Sequence, residues 1–165
     1  MHWLIDGYNV IRRDPDLRAR EAESLEAGRT ALLAMVARVA RDLPDSFTVV
    51  FDGARRTGGA PSSGRVQVVF SRAPASADDE LRRLAGSLRE GAIVVSSDRV
   101  VQDAARRAGA VALGADAFLA AVETGSSEVE DNSDDEEDGP RRGPSHKRSR
   151  AARAAERALR RLRNR

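Results

Sequence analysis

Leu4-Ile5-Asp6, Val49-Val50-Phe51-Asp52, Val68-Val69-Phe70 ahead of Asp78-Asp79-Glu80, and Val94-Val95-Ser96-Ser97-Asp98 decide the reading of this 165-residue chain. Each is a short apolar run that leads into an acidic residue. Runs of this kind between helical stretches read as buried parallel strands, and in such sheets the ligand site lies just beyond the strands' carboxyl ends. The acids are therefore expected in one cleft. Carboxylates held close together repel unless a cation neutralises them, and hard oxygen donors favour magnesium or manganese over softer metals.

The segments around these runs agree with an alternating fold. Residues 2–6 read as the first strand, with Gly7 and Asn9 suited to the turn after it and an irregular segment around Asp14-Pro15-Asp16. Leu25, Leu32, Leu33, Val36, Val39 and Ala40 recur at helical spacing, predicting a helix over 21–42 that stops before Pro44. Strand two spans 47–52. The Gly/Ser/Pro-rich stretch from Arg55 to Gly64 is a candidate lid or substrate contact, and strand three follows at 65–71. Ser76 reads as the cap of a helix with acids in its first turn. Strand four is 92–96, Ser97 or Asp98 caps a helix over 99–108, Gly109 ends it, and a strand at 110–113 and a helix at 115–123 complete the series. The order β-α-β-β-α-β-α-β-α predicts a three-layer α/β/α domain with a mainly parallel central sheet.

Apolar residues make up 41% of the chain, enough for one ordinary core and little more. The absence of cysteine excludes disulfides, thiolate metal sites and cysteine nucleophiles. No run approaches the ~20 apolar residues of a membrane span, and Met1 leads straight into a strand with no signal-peptide pattern, so a cytoplasmic protein without a membrane partner is expected. The net charge of +2 conceals segregation: residues 1–127 hold 17 arginines and 17 acids, 128–140 hold eight acids and no base, and 141–165 hold eleven bases and one acid, Glu156. The predicted division is a domain over 1–123, an acidic-to-basic linker over 124–150 with disorder expected from 126, and a basic C-terminal helix or arm over 151–165. In that last segment Ala151, Ala155, Ala158, Leu159 and Leu162 fall on one side and arginines on the rest, a pattern suited to a polyanion or a partner groove.

Taken singly, an aspartate after a strand is most often a turn former or helix cap, and Asp98 after Ser-Ser is the clearest case. Acids at three strand ends and one helix start together point instead to a metal site. Other acid-based chemistries lack their partners: position 8 is Tyr8 where a haloacid-dehalogenase-type phosphatase needs a second aspartate, the core has no lysine for a receiver domain, and no Gly-Lys-Ser/Thr is present for a P-loop. His2 opens a strand and His146 lies in the tail, so neither serves a serine triad. Water activation then falls to a metal, which suits phosphodiester hydrolysis. Arg12, Arg13, Arg29, Arg55, Arg56 and Arg99 lie near the proposed edge as candidate phosphate contacts, Arg29 foremost because helix amides near it also favour phosphate.

Leu4-Ile5-Asp6-Gly7-Tyr8-Asn9-Val10-Ile11, Val50-Phe51-Asp52, Val69-Phe70-Ser71, Ser76-Ala77-Asp78, Val95-Ser96-Ser97-Asp98 with Gln102, and Gly109-Ala110 resemble the bacterial NYN-domain proteins of the YacP type, a branch of the PIN-like nuclease superfamily. The resemblance covers about residues 2–122. It implies that Asp6, Asp78 and Asp98 bind Mg2+ or Mn2+, that Asp52 completes or supports the site, and that Asn9 orients water or a phosphate. Ser97 and Gln102 would support it. Asp79 or Glu80 would share the ligand role, because this chain reads Ser-Ala-Asp-Asp-Glu where the family more often has Thr-Ala-Asp. The implied activity is that of an endoribonuclease, in one type of the family acting on messenger RNA at the ribosome. The alternative from the residues alone is a non-catalytic RNA- or ribosome-binding module that uses the basic C-terminal arm.

Overall fold

Five short apolar strands lie side by side in one wholly parallel sheet: β1 (His2–Asp6), β2 (Ser46–Phe51), β3 (Val66–Phe70), β4 (Ala92–Val95) and β5 (Val111–Leu113), in the spatial order β3-β2-β1-β4-β5. The computed structural model describes residues 1–53, 64–127 and 150–165. Residues 54–63, which hold Arg55, Arg56 and most of the expected lid or substrate contact, and residues 128–149 of the expected 124–150 linker lie outside the described residues. Seven helices complete the described fold: α1 (Gly7–Arg13), α2 (Pro15–Glu23), α3 (Leu25–Asp42), α4 (Ala77–Leu88), α5 (Arg99–Arg107), α6 (Ala115–Ser127) and α7 (Arg150–Arg163).

Strand alternation divides the core between the two faces of the sheet. Trp3, Ile5, Phe47, Val49, Phe51, Ile93 and Val95 face one side with Val10, Ile11, Leu32, Val36, Phe118 and Leu162, residues of α1, α3, α6 and α7. Leu4, Val50 and Val94 face the other with Leu81 and Ala85 of α4 and Val101 and Ala105 of α5. A sheet covered on both faces explains why its strands are continuous apolar runs. β1 lies between β2 and β4, so the chain departs from it toward opposite edges of the sheet. The carboxyl ends of β1 and β4 therefore flank the topological switch point, where open α/β sheets form their crevice.

Local chemistry alters three of the expected segments. No open turn follows β1: Asp6 itself caps α1, which starts at Gly7. The stretch from Asp14 is helical, because Asp14 accepts from the Leu17 amide at 2.8 Å and Pro15 occupies the first helical position, where its missing N–H costs nothing. The helix expected over 21–42 is divided at Ser24, whose extended backbone ends α2 and whose hydroxyl accepts from Ala27 N at 3.0 Å to cap α3. Ser76 caps α4 as expected, and its partner in the reciprocal capping box is Asp79.

The basic C-terminal segment belongs to the same core as residues 1–123. Helix α7 packs on α6 and β5, with Ala158 and Leu162 buried and Ala155 and Leu159 partly so. Arg161 pairs with the buried Asp45 at 2.9 Å, while Arg165 pairs with Asp42 at 3.2 Å and donates to the Val122 carbonyl at 2.7 Å. Gly125 of α6 makes the closest approach, since a Cβ there would lie 2.4 Å from the Leu162 carbonyl oxygen. None of the helices among the described residues is long and apolar enough to cross a membrane.

Candidate active site

Asp6 ends β1 and is 8% exposed. Its Oδ1 accepts the Asn9 amide at 3.3 Å, the usual task of an N-cap, and its Oδ2 accepts the Ser96 hydroxyl at 2.9 Å. Ser96, fully buried just after β4, ties the two strand ends together: its Oγ also accepts the Asp98 amide at 3.1 Å, and its carbonyl accepts Gln102 Nε2 at 2.6 Å. The Ser97 amide donates to Asn9 Oδ1 at 2.8 Å, and the Ser97 hydroxyl accepts the Ala115 amide at 3.1 Å. Two expected supporting residues, Ser97 and Gln102, thus brace the loop that carries Asp98. Asp98 caps α5 through Oδ1, which accepts Val100 N at 2.6 Å and Val101 N at 3.2 Å.

The acids on these separate elements act on one another. Burial raises the pKa of Asp6, hydrogen bonds from Ser96 and Asn9 oppose it, the charges of Asp78 and Asp98 reinforce it, and the net shift is upward. Asp78, in the first turn of α4, is also raised, by burial first and then by Asp98, with Arg82 opposing and Asp79 and Asp52 adding. Four expected ligands, Asp6, Asp52, Asp78 and Asp98, are therefore linked electrostatically although they come from four different places in the sequence. Asp52 is exposed at the end of β2 and accepts the Ser71 hydroxyl at 2.6 Å.

Asp79 and Glu80 are directed elsewhere. Asp79 accepts the Ser76 amide and hydroxyl at 2.9 and 3.0 Å, bonds that lower its pKa, and pairs with Arg82 at 3.2 Å. Glu80 is held by Arg83 through hydrogen bonds of 2.6 and 2.9 Å, which lower its pKa. The extra acids of the Ser-Ala-Asp-Asp-Glu motif thus serve the helix start.

Tyr8, Phe51 and Phe70 form a ring cluster beside the acids, with centroids 5.2 Å apart for Tyr8–Phe51 and 5.7 Å for Phe51–Phe70. Gly7 is required by this packing, because a Cβ would lie 2.3 Å from the Phe51 ring. Arg29 of α3 lies over all three rings, 5.2–5.6 Å from their centroids, and its Nε and Nη2 both donate to the Tyr8 hydroxyl. Arg12 is exposed and also lies over the Tyr8 ring, 5.8 Å from its centroid. Arg13 instead meets Asp116 at 3.5 Å. His2 is at the opposite end of β1, bonded to Thr48 Oγ1 at 2.7 Å, and burial lowers its pKa.

All the candidate donors are hard oxygens, and the mutual repulsion of Asp6, Asp78 and Asp98 is the condition a divalent cation relieves. In chemistry the residues fit Mg2+ or Mn2+. In geometry they are not drawn together: no three His, Cys, Asp or Glu side chains among the described residues are grouped as a ready metal site. Repulsion and capping explain this, since Asp98 is committed to the α5 amides and Asp6 to Ser96 and Asn9. Ser96 and Ser71, which orient Asp6 and Asp52, stand in the motifs that carry the resemblance but without a role of their own there, at the ends of the expected strands, and the structure has each as the first residue after one. A cleft of about 520 Å3 lies at the other end of the sheet, between α7, β5 and the start of β1, and contains none of these aspartates.

The YacP-like NYN domain model matches residues 3–164, so it includes α7 as well as the sheet. YacP of Bacillus subtilis (strain 168), described as uncharacterized, is 32% identical over 126 residues, covering 73% of this chain and 74% of its own length. The crystal structure of Rae1 (YacP) from Bacillus subtilis is similar with a TM-score of 0.67 and 31% identity, over 79% of this chain and 78% of that one. A mutant of the same protein matches equally, with a TM-score of 0.67 over 78% and 79%. The parallel sheet, the acids at its switch point and these matches place the chain in the YacP-like NYN domain family, within the PIN-like nuclease superfamily.

Proposed function

We propose that this protein is a divalent-metal-dependent endoribonuclease that hydrolyses RNA phosphodiester bonds in the cytoplasm. The observation that carries the reading is the electrostatic coupling of Asp6, Asp78 and Asp98 at the switch point of a nuclease-family fold. These three would hold Mg2+ or Mn2+, with Asp52 completing or supporting the set. When bound, the ion supplies charge neutralisation at a phosphate and lowers the pKa of water. The chain's own residues do the positioning. Ser96 fixes the Asp6 carboxylate, and the Ser97 amide fixes the Asn9 carboxamide by its oxygen, which leaves the Asn9 amide N–H groups to donate to a phosphate or a water. Arg12 offers a cation at the rim. No histidine lies at this end of the described structure, so the leaving 3′ oxygen takes its proton from water. The products are a 5′-phosphate and a 3′-hydroxyl.

The test is cleavage of labelled structured and unstructured RNAs by wild type and Asp6→Asn, each with Mn2+, Mg2+ and chelator. Metal-dependent cutting that vanishes in the variant while RNA binding persists is expected. Binding without cutting in every condition would overturn the enzyme reading.

One observation favours a second reading, a non-catalytic RNA- or ribosome-binding module. Arg153, Arg157, Arg160 and Arg163 are exposed along α7, and no carboxylate among the described residues pairs with them. Such a row suits phosphates. Replacing Arg153, Arg157 and Arg160 by Gln separates the readings: cleavage survives at reduced affinity if the protein is an enzyme, and its only activity is lost if it is a binding module.

A further inference from the structure

We propose that Arg29 is a preformed phosphate clamp, which grips the RNA backbone beside the acidic site. The inference rests on the reading of RNA as substrate and deepens it by assigning a specific contact.

The placement of the three rings locates the clamp. Tyr8 lies between Asp6 and Asn9, Phe51 precedes Asp52, and Phe70 precedes Ser71, which holds Asp52. Tyr8 thus adjoins Asn9, Phe51 adjoins Asp52 and Phe70 adjoins Ser71, and Arg29 covers all three rings at 5.2–5.6 Å. On this reading an RNA strand seated on the acids has Arg29 beside it, through the rings that adjoin Asn9, Asp52 and Ser71.

The hydrogen-bond inventory shows what the guanidinium has left to offer. It has five N–H donors in a rigid fork. One on Nε and one on Nη2 go to the Tyr8 hydroxyl. The other three, two on Nη1 and one on Nη2, form the terminal edge that binds phosphate through two parallel bonds. Among the described residues this edge has no hydrogen-bond partner and Arg29 has no ion pair, although the side chain is half-buried. The arginines that brace the fold do satisfy theirs, Arg165 on Asp42, Arg161 on the buried Asp45 and Arg65 on the Leu43 carbonyl. The ring faces attract the cation and keep its plane fixed, and guanidinium is weakly hydrated, so little order remains to be lost on binding.

The experiment is titration of a labelled single-stranded RNA with the full chain in chelator, at several salt concentrations, with wild type, Arg29→Gln, Arg29→Lys and Tyr8→Phe. Thermal melts of each variant accompany it. Removing one phosphate contact should lower the slope of log K against log salt by about 0.7, a change that loss of packing alone does not produce. Arg29→Gln is expected to show that change and to bind about tenfold more weakly. Arg29→Lys should keep the slope but lose affinity, since ammonium cannot bind in the bidentate manner. Tyr8→Phe keeps the ring and removes the acceptor that turns the fork outward, so it should weaken binding even if Arg29→Gln fails to fold. A wild-type slope and affinity in both Arg29→Gln and Tyr8→Phe, or in Tyr8→Phe alone should the other not fold, overturns the clamp. Cleavage measured in parallel with Mn2+ keeps the two readings apart. A slope that depends on Arg29 without cleavage supports the clamp and sinks the nuclease, whereas cleavage with an unchanged slope does the reverse.

Discussion

Ser96 shows how one small side chain can organise a site. Its hydroxyl donates to Asp6 and accepts from the Asp98 amide, so Ser96→Ala leaves a buried carboxylate oxygen and a backbone N–H without partners. The expected cost is about 1–3 kcal/mol, read by urea denaturation, together with a drop in RNA cleavage as Asp6 loses its orientation. Ser96→Thr keeps the hydroxyl, and closer retention of activity there would separate hydrogen bonding from packing. The four aspartates were legible in the sequence because each follows an apolar run or opens a helix. The bonds of Ser96 and Ser71 to the acids and the Arg29–Tyr8 contact were not, because they join partners 90, 19 and 21 residues apart. The redirection of Asp79 was partly legible, since capping is a local interaction and Ser76 lies three residues before it.

Helix α7 shows how an amphipathic pattern leaves its partner open. Alanine and leucine on one side of an arginine-rich segment fit an RNA-binding arm, a partner groove or the chain's own core equally well, and here they cover α6 and β5. Leu162, fully buried, should cost about 2–5 kcal/mol on truncation to Ala, measured by chemical denaturation. Gly125→Ala should also lower Tm, because the atom its Cβ meets is the Leu162 backbone carbonyl, which cannot rotate away as a side chain would. A wild-type Tm in both variants would mean that α7 is not docked in solution. Truncating the chain before α7 would uncover apolar surface of α6, so charge substitutions on its exposed side are the cleaner test of RNA binding. The division of the expected 21–42 helix at Ser24 has a related origin: apolar spacing continues across the break, while capping by the Ser24 hydroxyl decides where the second helix starts.

Asp45 joins the two ends of the fold, accepting the Met1 ammonium at 2.8 Å, Trp3 Nε1 at 3.0 Å and Arg161 at 2.9 Å. Burial pushes its pKa up, but the bonds from Met1 and Trp3 and the charges of the ammonium and Arg161 outweigh that and hold it below the usual value. A depressed carboxylate stabilises the fold above the unfolded pKa, near 3.9, and the contribution is lost as pH falls through the lower folded pKa. Asp45→Asn should therefore reduce Tm at pH 7 and flatten its decline below about pH 4, and parallel melts of the two proteins would reveal an unchanged decline if Asp45 has no such role. The parallel α/β class and the set of acids followed from sequence because burial on both faces demands continuous apolar strands, and their carboxyl ends all lie at one edge of a parallel sheet. Which strands adjoin, which serine orients which acid, where Arg29 rests and what α7 covers follow from tertiary contacts, because those energies belong to pairs of groups far apart in the chain and no local spacing records them.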